Sequence, residues 1–131
     1  MPQFAAINNN KYQIIMSNQL KKGQSISVGG ALTSTNGSYT LKLQSDGNCV
    51  LYEVDGNKVL WSTDTQGKAS KSLTLQEEGN LVLASSDGST LWQSGTKGEP
   101  TVINFIVQDD GNMVIYIPSG AIWASNTGVN Y

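Results

Sequence analysis

The chain has 131 residues, enough for one domain or one array of small repeats, and for a core that needs no disulfide. Its eight cations are all Lys, there is no His, and the formal net charge is −2. This argues against the basic stripe of a nucleic-acid binder and removes the commonest general base and transition-metal ligand. The single Cys, Cys49, rules out an intrachain disulfide, and no run approaches the ~18 apolar residues of a membrane span.

In chain order, the N-terminal MPQFAAINNN carries neither a basic region nor a long apolar run. No signal peptide is expected, so the protein is expected in the cytoplasm or exported without a conventional leader. The stretch from Ser17 to Gly37 is turn-rich and strand-like but does not align with the rest of the chain. Three segments then repeat: Leu43 to Thr65, Leu75 to Thr96 and Val107 to Thr127. Gln44, Gln76 and Gln108 are spaced by 32 residues, as are Gly47, Gly79 and Gly111, then Asn48, Asn80 and Asn112, then Val50, Val82 and Val114. Trp61, Trp92 and Trp123 recur every 31, and Thr65, Thr96 and Thr127 each come four residues after a Trp. Residues 1–131 therefore read as one domain made of three repeats.

Within each repeat the apolar period is two, the signature of half-buried strands. In the first, Leu41, Leu43, Cys49 and Leu51 fall on one side of the alternation; Thr40, Lys42, Gln44, Asn48, Val50 and Tyr52 fall on the other. No window holds a 3.6-residue apolar pattern, so the fold class is all-β. Ser45-Asp46-Gly47 predicts a three-residue hairpin loop with Gly47 at positive φ, setting Gln44 opposite Asn48. Asp55-Gly56-Asn57 predicts a second turn before the Val59-Leu60-Trp61 strand. Such a unit is too small to bury its own apolar face, but three can face one another. The recurring Trp residues are assigned to that shared centre, with Leu43, Leu75 and Val107, rather than to a surface platform for stacking sugars.

The outer side carries the chemistry. Gln44, Asp46, Asn48, Val50 and Tyr52 supply two amides, a carboxylate, a phenol and one aliphatic expected to be exposed. A straight strand would spread them over about 26 Å, but the hairpin folds them back towards one shallow pocket. Pyranose hydroxyls both donate and accept, and these groups can answer them, with Val50 against the C–H patch. Solvation alone does not explain Gln and Val at fixed offsets in three copies.

The pattern Gln-x-Asp-x-Asn-x-Val-x-Tyr, with a Trp near the end of each unit, resembles the bulb-type mannose-binding lectins, the snowdrop lectin group. The resemblance covers roughly Asn18 to Thr127. It implies a β-prism of three four-stranded antiparallel sheets with pseudo-threefold symmetry. It further implies one mannose site per sheet, no metal, no other cofactor, and frequent homodimers that exchange C-terminal strands. Carried over by residue, Gln44, Asp46, Asn48, Val50 and Tyr52 match fully, as do Gln108, Asp110, Asn112, Val114 and Tyr116. The second unit keeps Gln76, Asn80 and Val82 but has Glu78 for Asp and Ala84 for Tyr, so its site is expected to be degenerate. Where plant members have a Cys inside the first motif this chain has Gly47, and Cys49 falls on the inward side.

A glycosidase would need two carboxylates about 5–10 Å apart, and no hairpin offers a second acid on the same face; Asp109 and Asp110 are adjacent, so their side chains should alternate. Asp46-Gly47-Asn48 lacks the spaced ligands of a calcium loop. The remaining alternative is a structural, protein-binding or toxin-like module on the same scaffold.

Overall fold

The computed structural model describes residues 17–129. The N-terminal stretch expected to hold no signal peptide lies outside those residues, as do the last two of the chain. Twelve short strands form the described part: β1 (Gln19–Lys21), β2 (Ser25–Ser27), β3 (Ala31–Thr33), β4 (Tyr39–Leu43), β5 (Cys49–Glu53), β6 (Lys58–Ser62), β7 (Ser70–Leu75), β8 (Leu81–Ser85), β9 (Thr90–Gln93), β10 (Asn104–Val107), β11 (Met113–Ile117) and β12 (Gly120–Ala124). The turn predicted at Asp55–Asn57 is a single turn of 3-10 helix between β5 and β6. Among the described residues no helix is long and apolar enough to cross a membrane.

The strands form three four-stranded antiparallel sheets, a β-prism. The first sheet runs β3-β4-β5-β6, the second β2-β7-β8-β9 and the third β1-β10-β11-β12. Each repeat supplies three strands as a meander. The fourth comes from the segment that does not align with the repeats: β1, β2 and β3 visit the third, second and first sheets in turn, pairing with β10, β7 and β4. Leu20, Ile26 and Leu32, six residues apart, each turn inward from one of these strands. This segment is therefore a strap across the three repeats rather than a fourth copy.

Leu41, Leu43, Cys49 and Leu51 are essentially fully buried, as the alternation requires, and Leu73, Leu75, Leu81, Leu83, Phe105, Val107, Met113 and Ile115 join them. Each such aliphatic or aromatic side chain contributes roughly 1.5–3 kcal/mol on burial. Trp61, Trp92 and Trp123 lie opposite Leu51, Leu83 and Ile115 on the last strand of each sheet. Their rings meet edge to face, with centroids 5.3, 5.9 and 5.7 Å apart. Three equivalent residues in mutual contact must surround the pseudo-threefold axis, so the assignment to a shared centre holds, although the indoles stay partly accessible. Edge-to-face pairs add about 0.5–1.5 kcal/mol each beyond the area they bury.

Candidate functional site: the outer faces of the three sheets

Each signature hairpin turns through a glycine. In the first, Gly47 has φ 94° and its N–H donates to the Gln44 carbonyl at 3.0 Å, while Gln44 N–H donates to the Asn48 carbonyl at 2.9 Å. This is the predicted loop, with Gln44 opposite Asn48. A Cβ at Gly47 would lie 2.3 Å from the Lys68 carbonyl oxygen, so glycine is required both by the left-handed backbone and by the close approach of the loop after β6.

That loop is clamped to the hairpin by the recurring Asn and Thr. Asn48 Oδ1 accepts from Thr65 N–H (3.1 Å) and from the Thr63 hydroxyl (3.3 Å). Asn80 Oδ1 accepts from Gly95 N–H (3.0 Å), Thr96 N–H (3.1 Å) and the Ser94 hydroxyl (3.2 Å). Asn112 Oδ1 accepts from Asn126 N–H (2.9 Å), Thr127 N–H (3.3 Å) and the Ser125 hydroxyl (3.1 Å). The Thr hydroxyls then donate to the turn glycine carbonyls: Thr65 to Gly47 (2.7 Å), Thr96 to Gly79 (2.7 Å) and Thr127 to Gly111 (2.6 Å). The Thr four residues after each Trp is thus a clamp on the hairpin tip. The sequence displays its recurrence but not its partner.

The Asn side chain consequently has two ends with separate duties: the oxygen holds the scaffold, and the Nδ2 hydrogens are left for the face. Among the described residues, neither Asn48 Nδ2 nor Asn112 Nδ2 donates a hydrogen bond. Asn80 Nδ2 does, to Gln93 Oε1 at 2.8 Å. The first and third repeats have Ser62 and Ala124 where the second has Gln93, directly after the Trp. That third departure of the second repeat lies outside the five-residue motif, so the motif alone misses it, yet it is visible as a long amide at a position otherwise small.

The five motif residues come together on the first and third sheets. Gln44 Nε2 donates to the Tyr52 phenol oxygen at 2.5 Å; in the third sheet the amide is turned over and the Tyr116 phenol donates to Gln108 Oε1 at 2.6 Å. Either way the glutamine fixes the phenol across the hairpin. Asp46 Oδ1 and Asp110 Oδ1 accept from the N–H of Asn48 and Asn112, each at 2.9 Å. Gln108 Nε2 also lies 3.2 Å from Asp110 Oδ1. Asp109 points away, as its alternation with Asp110 predicts, and holds Thr35 and Asn36 of the loop before β4. A shallow open depression of the third sheet is lined by Asp110, Asn112, Asn126, Gly128 and Val129.

One expectation needs correction. The alternation predicts Val50 as an exposed aliphatic, but it is 3 % exposed, and Val114 and Val82 are likewise buried at 3 % and 6 %. Each sits on the third strand of four, with Lys42 and Ser62 flanking Val50 on the neighbouring strands. Side chains on both sides cover a central-strand residue, so the valines lie beneath the outer surface rather than forming a protruding patch. Thr40 is buried on the same outer face, its hydroxyl bonded to that of Thr33 at 3.0 Å. Gln76, Glu78, Asn80 and Val82 occupy the matching places on the second sheet. Among the described residues no side-chain hydrogen bond joins Glu78 to the hairpin, and Ala84 leaves Gln76 without a phenol partner.

A family profile described as D-mannose binding lectin matches residues 30–105, more than half of the chain. The chain belongs to the D-mannose binding lectin family. The matched span contains the first and second signature hairpins and stops before Gln108, so the third is recognised by its own residues and geometry. The chain is similar to the monomeric monocot mannose-binding lectins of Gastrodia elata, with 41% identity over 86% of this chain and 100% of that one, at a TM-score of 0.76. It is similar to the snowdrop (Galanthus nivalis) mannose-specific agglutinin solved with methyl-α-D-mannoside, with 37% identity over 87% and 100% of the two chains, at 0.67. A domain-swapped lectin dimer from Mycobacterium smegmatis shares 40% identity over 84% and 100%, at 0.52. No curated protein sequence matches the chain significantly.

Proposed function

We propose that this family member binds mannose and mannose-bearing glycans, without a metal, through the outer faces of the first and third sheets, while the second sheet is silent. The observation that carries the reading is the state of the asparagine amide. On outer faces whose central valine is buried, Asn48 and Asn112 keep their Nδ2 hydrogens, with a carboxylate and a Gln–Tyr pair beside them. Asn80 has spent its donor on Gln93 Oε1 at 2.8 Å. The set of amide donor, carboxylate acceptor and amphoteric phenol matches the alternating hydroxyls of a neutral pyranose.

A single shallow site of this kind is expected to bind methyl α-mannoside near millimolar, about −4 kcal/mol. Useful affinity then comes from joining sites. One chain carries two on different faces, so multivalent glycans are the natural ligands. Of two lectins similar to this one, that from Gastrodia elata is monomeric and that from Mycobacterium smegmatis is a domain-swapped dimer. Here β12 pairs with β11 of its own chain, and an exchange of that strand between two copies would preserve the third sheet while doubling the sites. Sedimentation of the protein with and without a multivalent mannan measures that state.

The test of the binding reading is a methyl α-mannoside titration followed by NMR, run once without and once with EDTA. The side-chain amides of Asn48 and Asn112 are expected to shift, and that of Asn80 to stay. Asn48→Asp and Asn112→Asp, which keep an acceptor for the clamp but lose the donor, should each abolish one site. Loss of all binding on chelation, or shifts confined to Asn80, would overturn the assignment.

A further inference from the structure

The first and third outer faces share all five motif residues but not the residue beside the central valine. On the preceding strand Lys42 faces Val50, whereas Thr74 faces Val82 and Ile106 faces Val114. Lys42 is exposed, and its Nζ stands 5.7 Å from the centroid of the Tyr52 ring. That ring is itself held in place by Gln44, so the ammonium, though solvent-exposed, rests beside a ring of fixed position at the edge of the outer face. Among the described residues no carboxylate forms an ion pair with it. The motif's own carboxylate, Asp46, lies at the hairpin tip, beyond Gln44, and one of its oxygens is occupied by Asn48 N–H at 2.9 Å. The outer face of the first sheet thus runs from a carboxylate at the hairpin tip to an ammonium beside the phenol. That of the third sheet has the carboxylate at its tip but Ile106 in the place of Lys42.

We infer that Lys42 is a specificity-determining residue that makes the first sheet's site prefer mannose carrying an acidic substituent, a phosphate or a carboxylate, while the third sheet's site does not. This rests on the proposed binding of mannose and adds a ligand class to one of its two sites. The recognising chemistry is one ammonium, beside the aromatic ring, against one anion at the edge of the outer face. An ion pair at about 4 Å in water corresponds to roughly a fivefold preference, and the preference must shrink as salt shortens the Debye length below about 10 Å. An ammonium engaged only with Tyr52 predicts no such preference.

The experiment uses the full chain, NMR titrations resolved by the Asn48 and Asn112 side-chain amides, and four probes: methyl α-mannoside, mannose 1-phosphate, mannose 6-phosphate and methyl α-mannuronoside. At low salt at least one acidic probe is expected to bind the first sheet about fivefold tighter than methyl α-mannoside, with no such gain at the third sheet. In Lys42→Gln that ratio should fall to about one, and Lys42→Arg should keep it. If methyl α-mannoside shifts Asn48 but no acidic probe gains over it, the inference is wrong and the mannose reading stands. If Lys42→Gln weakens neutral and acidic probes equally, Lys42 merely supports Tyr52 and the inference is likewise overturned. If methyl α-mannoside leaves Asn48 unmoved, the mannose reading of that sheet fails first, and this inference falls with it.

Discussion

Repeat 2 reproduces the clamp of repeat 1 almost bond for bond: Thr96 hydroxyl to Gly79 carbonyl at 2.7 Å answers Thr65 to Gly47 at 2.7 Å, and Asn80 Oδ1 gathers the same loop that Asn48 Oδ1 gathers. On the outer face the two part company. Glu78 stands for Asp46, Ala84 for Tyr52, and Gln93 for Ser62, which lets Gln93 take the Asn80 amide hydrogen. The comparison separates two kinds of recurring residue. Gly, Thr and the asparagine oxygen recur because the hairpin cannot close without them. The Asp, the Tyr and the unspent asparagine Nδ2 are shared by repeats 1 and 3 alone, and they are the groups that the proposed sites use.

The largest effect should come from the frame, and it should be equal in both repeats. Gly47→Ala forces a Cβ to 2.3 Å from Lys68 O at φ 94°, and Gly79→Ala one to 2.6 Å from Glu99 O at φ 96°. Each should cost about 3 kcal/mol or more in urea unfolding. A cheap Gly79→Ala beside a costly Gly47→Ala would show that the frames are not the same. Next in size, Asn80→Ala strips the clamp of its acceptor and frees several part-buried donors at once, so it should cost about 1–3 kcal/mol, as should Asn48→Ala and Asn112→Ala. Only the last two should also change mannoside binding. Measuring stability and binding on the same three variants separates the two ends of the side chain.

A third contrast is chemical. Cys49 occupies the inward position that Leu81 and Met113 hold in the other repeats, and burial pushes its thiol from 9.0 up to about 12. The unfolded chain ionises first, so the stability this group contributes is complete below pH 9 and is lost progressively as pH rises towards 12. The loss is about 1.4 kcal/mol per pH unit. Stability measured between about pH 9 and 11 should therefore fall less steeply in Cys49→Ala than in the wild-type chain. Equal slopes would mean that the thiol is not shielded as its burial implies.

The sheets are legible in the sequence because period-two alternation is a physical consequence of half-burial, and the turns because Ser45-Asp46-Gly47 and Asp55-Gly56-Asn57 admit few backbones. The motif residues shared by repeats 1 and 3 are legible for the same reason that makes them align. The strap from Ser17 to Gly37 is not, since three-residue strands carry too little pattern; only the six-residue spacing of Leu20, Ile26 and Leu32 hints at it. The burial of Val50 escapes the sequence because alternation reports which side a residue faces, not what its cross-strand neighbours cover. Thr65 and its counterparts visibly recur, but their partners are glycine carbonyls 16 to 18 residues away, which no local pattern encodes.

The smallest and sharpest test is to rebuild the second face. Three substitutions are needed, because three features separate it from its neighbours. Gln93→Ser, the residue of the first sheet, releases Asn80 Nδ2. Glu78→Asp shortens the side chain by one methylene, so that its carboxylate can accept the Asn80 N–H as Asp46 and Asp110 accept theirs at 2.9 Å. Ala84→Tyr returns a phenol to Gln76, and the strand neighbours of Ala84 are the small Ser72 and Thr90, which leave the face open to a ring. Each restored hydrogen bond is worth about 0.5–1.5 kcal/mol, against a total near −4 kcal/mol for a millimolar site. Any one change alone should therefore stay below detection, while the triple variant should raise the number of mannoside sites from two to three. If the triple variant unfolds like the wild type yet still binds at two faces, the silence of the second sheet lies elsewhere than in these residues. The frame it shares with the first sheet would then not be sufficient to carry the site.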